Sequence, residues 1–148
     1  EYLNFVADMY DIPSDERKSK IEHYSGIFSI QDALNGLIGG YSHGMKQKLV
    51  LVSALLNNPS LFILDEPMVG LDPRSSFNLK EIMRKMCDQG SKVFFSTHVM
   101  EVAEKLCDRI AIINRGRIIA LGTMEELRAL AEEKGSLENI FLELTEDE

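Results

Sequence analysis

The chain has no tryptophan and only two cysteines, Cys87 and Cys107. Neither belongs to a CxxC pair or a Cys/His cluster, which argues against a disulfide scaffold and a structural zinc site. Both read as reduced residues in helical patterns, as expected of a cytosolic protein. Positive charge is in deficit. The formal net charge is −8, so the chain as a whole offers no basic footprint for nucleic acid. Long apolar runs are missing too. The longest, Leu49 to Leu56, is broken by Ser53 and is far shorter than the ~20 residues that span a bilayer. No signal peptide, internal repeat or low-complexity tract is visible. The first residue is Glu1 rather than methionine, which is expected of an excised or processed chain. What remains is ordinary for a globular domain: 148 residues, 45% hydrophobic and 27% charged, enough to bury a sizeable core.

The chain is organised around Leu61-Phe62-Ile63-Leu64-Asp65-Glu66-Pro67. Four apolar residues, two carboxylates and a proline predict a short strand buried on both faces, of the kind found in helix-covered parallel sheets. The acids then fall at the carboxyl end of the strand, where open α/β sheets bind ligands. One carboxylate there can hold Mg²⁺, and its neighbour can orient or deprotonate a water. A strand ending in a polar turn is the plainer account of such a run taken alone. Lys92 to Phe95 predicts a second buried strand, followed by Ser96-Thr97-His98. If the two strands are parallel neighbours, His98 lies at the same end as Asp65 and Glu66. A histidine after a strand is otherwise a capping or turn residue.

Helical patterns surround these strands. Tyr2, Phe5, Val6 and Met9 recur at i, i+3, i+4, i+7 and predict one apolar face, ended by Ile12-Pro13. Ser14 is expected to cap the next helix, with Asp15 and Glu16 in its first turn and Ile21, Tyr24, Ile27 and Phe28 further on. Residues 1–38 thus form a small helical layer, with His23 solvated. Gly39-Gly40-Tyr41-Ser42-His43-Gly44 leads into a helix marked by Met45, Leu49, Val52 and Leu56. A serine and glycines before a helix leave N–H groups and a hydroxyl at its positive end, which suits phosphate. Lys46 and Lys48 near that end oppose the helix dipole, as an anion docked nearby would justify. An ordinary N-capped helix is the alternative there. Asp72-Pro73 starts a further helix, with Leu79, Ile82, Met83 and Met86 inward and Gly90 at its end. Val99, Val102, Ala103 and Leu106 give another. Asn114-Arg115-Gly116 joins two β-rich runs as a hairpin. Thr123 with Glu126 is a capping box for a helix ending at Lys134-Gly135. Leu137, Ile140, Phe141 and Leu144 supply a last apolar face, before a frayed Glu146-Asp147-Glu148.

Taken jointly, these pieces resemble the nucleotide-binding domain of an ATP-binding cassette (ABC) transporter. Tyr41-Ser42-His43-Gly44-Met45 is similar to the family's signature loop, with His43 and Met45 replacing the usual first glycine and glutamine. Leu61 to Glu66 resembles the Walker B strand with its catalytic glutamate, Gly70-Leu71-Asp72 the D-loop, and His98 the switch histidine. Their order and spacing agree over nearly the whole chain. The opening Glu1-Tyr2-Leu3 and the tail Leu137 to Thr145 resemble export-type cassettes. No G-x-x-x-x-G-K-[ST] loop occurs in the sequence, and Gln31 and Gln47 lie outside a Q-loop context. The chain is therefore expected to be the C-terminal portion of a longer cassette domain.

The resemblance implies a fold class and a set of roles. The fold is α/β: a partial P-loop NTPase-type parallel sheet flanked by helices, with a helical subdomain and signature loop (1–58), the later half of the catalytic core (59–122) and a hairpin leading to a helical tail (123–148). It implies ATP as ligand, Mg²⁺ held by Asp65, Glu66 as general base or water-orienting residue, and His98 on the γ-phosphate. Ser42, His43, Gly44 and Met45 would meet ATP held by a second nucleotide-binding domain, and Asp72 would cross that interface. A transmembrane permease is the implied membrane partner, at the inner face of the cell membrane, and no nucleic acid is involved. Without a phosphate loop, the chain alone is expected to bind ATP weakly and to be inactive. The missing strand, which the family sheet places between the Lys92–Phe95 strand and the Ile110–Ile113 strand, is expected to leave unpaired edges and self-association. Two alternatives are a cassette ATPase of translation or DNA repair, and a non-catalytic module made from a degenerate cassette.

Overall fold

The computed structural model describes residues 1–130 and 135–146, in two units, Glu1–Ser96 and Thr97–Glu148. In the first unit α1 (Tyr2–Met9) and α2 (Ser14–Ile27) precede two single 3-10 turns and α3 (His43–Leu55). Then come β1 (Leu61–Leu64), α4 (Pro73–Asp88) and β2 (Lys92–Phe95). The second unit holds α5 (Met100–Leu106), β3 (Ile110–Asn114), β4 (Arg117–Gly122), α6 (Met124–Leu130) and α7 (Leu137–Glu146). The expected end of α6 at Lys134 and the acids Asp147 and Glu148 lie outside the described residues.

β1 and β2 pair in parallel with Leu61 beside Lys92 and Leu64 beside Phe95. The α4 crossover between them is the connection that parallel strands require. β3 and β4 are antiparallel, with a bulge after Ile112. Their turn has φ +46 at Arg115 and +77 at Gly116, the paired positive angles of a type I′ hairpin, where glycine supplies the second at no steric cost.

Only one face of the β1–β2 sheet is buried. Phe62 is 3% exposed on the inner side, where α4 packs, whereas Leu61 (54%), Ile63 (66%) and Phe94 (64%) are exposed on the other. The expected burial on both faces is therefore corrected: a two-stranded ribbon with helices on one side leaves alternate residues in water. A second correction concerns α1. Its inward residues are Leu3 and Ala7, while Phe5 (63%) and Met9 (67%) are exposed. A third concerns α2, whose N-cap is Pro13. Ser14 is already helical and makes no side-chain cap, and the first turn closes by the Arg17 N–H donating to the Pro13 carbonyl at 2.8 Å. Cys107 is the residue after α5 rather than part of it.

Helix ends use left-handed residues. Asp11 (φ +52), Ser29 (φ +54) and Gly90 (φ +95) follow α1, α2 and α4. In each case the next residue's N–H reaches back to the last turn, as from Ile12 to Ala7 O at 3.0 Å, the Schellman arrangement. The core of the first unit gathers Phe28, Leu51, Val52, Leu55, Leu56, Leu79 and Met83. Lys20 Nζ donates to the Leu56 carbonyl at 2.7 Å and Asn78 Nδ2 to the Ile27 carbonyl at 2.7 Å, fastening α2 to the end of α3 and its own last residue to α4. The core of the second unit is Ile110, Ile112, Leu127, Leu137 and Ile140. There Thr123 and Glu126 form the expected reciprocal cap.

Candidate functional site

The two acids follow β1 directly. Asp65 is exposed, and Glu66 is half-buried with φ +43, a left-handed backbone that a non-glycine residue adopts at a cost of ~1–2 kcal/mol. The buried Pro67 and a bond from the Val69 N–H to the Glu66 carbonyl at 3.1 Å hold this turn. Continuing the parallel register by one residue puts Ser96 beside Asp65. Its N–H donates to the Leu64 carbonyl at 3.0 Å. Its hydroxyl accepts from the Glu66 N–H at 3.0 Å and donates to Asp65 Oδ1. One side chain thus holds the Asp65 carboxylate and the Glu66 backbone. Ser96 was not singled out from the sequence; the parallel register is the signal that reveals it.

A second cluster joins the start of α3 to the turn after β1. Ser42 is the N-cap of α3, and its Oγ accepts from the Met45 N–H at 3.3 Å. The first turn of α3 carries no acid, so its amide end retains positive character. Gly44 lies so close to Gly70 that a Cβ on it would stand 2.5 Å from the Gly70 carbonyl oxygen. Gly70, at φ +79, has the His43 ring beside it, and a Cβ there would stand 2.8 Å from His43 Cδ2. Gln47 Nε2 donates to the Pro67 carbonyl at 3.5 Å. Lys48 does not serve a docked anion as expected. It reaches Asp72 Oδ2 at 2.6 Å, because it lies a turn further along α3, opposite the start of α4.

Asp72 caps α4 as its pairing with Pro73 predicts, accepting from the Ser75 N–H at 2.9 Å and the Ser75 hydroxyl at 2.7 Å. The Lys48 ammonium, and then Ser75, hold its carboxyl well below the usual carboxylate range. His98 belongs to the second unit, on an exposed bend before α5. There the Thr97 hydroxyl accepts the Val99 N–H at 3.1 Å. The structure thus brings Asp65 and the Glu66 backbone together with Ser96, His43 and Gly44 together with Gly70, and Lys48 together with Asp72.

No group of three or more His, Cys, Asp or Glu side chains is arranged to hold a metal among the described residues. Mg²⁺ usually keeps several waters and is bound through one or two carboxylates plus substrate phosphates. Asp65 offers one exposed carboxylate at the strand end, in keeping with that chemistry. Phosphate fits the acid-free start of α3, while the chain supplies no glycine–lysine phosphate cradle.

Residues 5–104 match the family model described as "AAA domain, putative AbiEii toxin, Type IV TA system". The ABC transporter ATP-binding protein NatA of Bacillus subtilis is 34% identical over 142 residues, 96% of this chain and 57% of its own length. EcsA, an ABC-type transporter ATP-binding protein of the same organism, is 33% identical over 149 residues, all of this chain and 60% of its own. The daunorubicin/doxorubicin resistance ATP-binding protein DrrA of Streptomyces peucetius is 41% identical over 102 residues, 69% of this chain and 31% of its own. A solved ATP-binding subunit of an ABC transporter superposes with a TM-score of 0.90 at 33% identity, covering 97% of this chain and 60% of that one. The class defined by the matched model is that of AAA-type domains. The chain belongs to the family of ABC transporter ATP-binding proteins. It spans about three fifths of the length of NatA and EcsA.

Proposed function

We propose that the full-length polypeptide carrying this chain hydrolyses ATP to power a membrane transporter of the export type. The observation that carries this reading is the pair Asp65–Glu66, set at the carboxyl end of a parallel strand, with one hydroxyl holding the Asp65 carboxylate and the Glu66 backbone. Glu66 takes a proton from, or orients, the attacking water, a role worth ~10²–10⁴-fold in rate. Asp65 holds Mg²⁺, which when bound neutralises charge on the phosphate oxygens. His98 contacts the γ-phosphate. Ser42 to Met45 face nucleotide on a second nucleotide-binding domain, Asp72 couples the two sites, and a permease receives the motion. The segments 1–58, 59–122 and 123–148 divide that work as helical subdomain, catalytic core and tail. The resistance protein DrrA among the relatives supports export. No described helix is long and apolar enough to cross a membrane, in keeping with a peripheral subunit at the inner face of the membrane. The chain alone binds ATP weakly and does not turn it over.

The test is Glu66→Gln in the full-length protein. Turnover should fall by ~10²-fold or more while ATP binding persists. Unchanged turnover would refute the reading.

A further inference from the structure

His43, Gly44, Gln47 and Lys48 share one face of α3, and all four meet the segment from Pro67 to Asp72. Two of the contacts leave no room for adjustment. The approach of Gly44 to Gly70 is backbone against backbone, so neither loop can slide without moving the other. Asp72 shares its oxygens: Oδ1 accepts the Ser75 N–H, while Oδ2 accepts both the Ser75 hydroxyl and Lys48 Nζ. Lys48 is the one cation in this set. Its side chain is only 14% exposed, so its stem is packed while its ammonium meets the carboxylate.

We propose that Lys48 is a positioning residue: through Asp72 it clamps the turn at Gly70–Leu71 onto the start of α3, so that the two loops meet a partner domain as one rigid surface. This rests on the functional reading above and adds a residue to it. Lys48 touches no reacting atom. It sets the geometry of the groups that do, and misplacement by about an ångström is enough to cost ~10²-fold in rate. An ion pair with one partner half in water contributes only modestly to stability, so its loss leaves the fold in place.

The experiment is steady-state ATP turnover by the full-length protein, assembled with its membrane partner, for the parent, K48Q, K48R, D72N and K48Q/D72N. Asparagine keeps the cap oxygen for Ser75, so D72N removes the charge pairing while preserving the helix start. K48Q and D72N should each lower kcat ~10-fold, with KM for ATP changed less than ~3-fold. K48R should restore most of the rate, and the double variant should lose no more than either single one. If K48Q also lowers the melting midpoint, D72N decides. A kcat in D72N within ~2-fold of the parent, or losses that multiply in the double variant, would overturn the clamp. A parent protein without ATP turnover would overturn the functional reading, and the clamp with it.

Discussion

A single hydroxyl stands between the two acids. Ser96 spends its lone pair on the Glu66 N–H and its proton on Asp65, so removing it loosens the Asp65 carboxylate and the Glu66 backbone at once. Hydrogen bonds to charged groups contribute ~1.5–3 kcal/mol, and Ser96→Ala in the full-length protein should lower kcat ~10-fold or more. Ser96→Thr, which keeps the hydroxyl, should retain most of the rate. Stopped assays of phosphate release compare the two, and equal rates in S96A and the parent would show that the acids hold themselves. The acids could be placed from the sequence at the carboxyl end of a strand, because an apolar run closed by two carboxylates and a proline predicts one, but a plain polar turn accounts for that run equally well until the other motifs are read with it. Ser96 could not, since its role exists only once a second strand lies beside the first in a fixed register. Lys48 was misread for a related reason. Its position near a helix start fitted an anion, and the carboxylate that claims it lies 24 positions away in sequence.

Elements were most legible at their ends. Asp72-Pro73, Gly90, Thr123 with Glu126, and Asn114 to Gly116 each carry a local chemical instruction, and each is used as written. Apolar stripes were less reliable. α1 carries Tyr2, Leu3, Phe5, Val6, Ala7 and Met9, apolar on most of its circumference, so periodicity alone does not say which arc turns inward. The cap of α4 also makes stability depend on pH. Asp72 titrates lower in the folded protein than in the unfolded chain, so its contribution is complete above about pH 4 and is lost as pH falls below that. With its side chain 46% exposed, solvent screens part of the effect. Asp72→Asn should therefore flatten the acid limb of the stability curve. Urea midpoints for parent and variant should keep a constant gap above about pH 4 and converge as pH falls below it. A gap that persists at lower pH would assign the difference to packing instead.

For the whole molecule, the outward face of the β1–β2 sheet is the principal liability. Leu61, Ile63 and Phe94 lie exposed side by side on it. Contiguous apolar surface of this kind promotes association, even in a chain with a net charge of −8. Phe94→Lys should raise the concentration at which the isolated chain sediments as a monomer, and an unchanged sedimentation profile would place the association elsewhere. That exposed face was not legible in the sequence. Leu61 to Leu64 has the composition of a strand covered on both sides, and composition does not say how much of the cover a given stretch of chain brings with it.

The left-handed backbone at Glu66 sets heat resistance against turnover. Glycine relaxes such a conformation and asparagine tolerates it, so a search for sturdier variants should be drawn to that codon. Under the catalytic reading, the winners of such a search would be well-folded and silent.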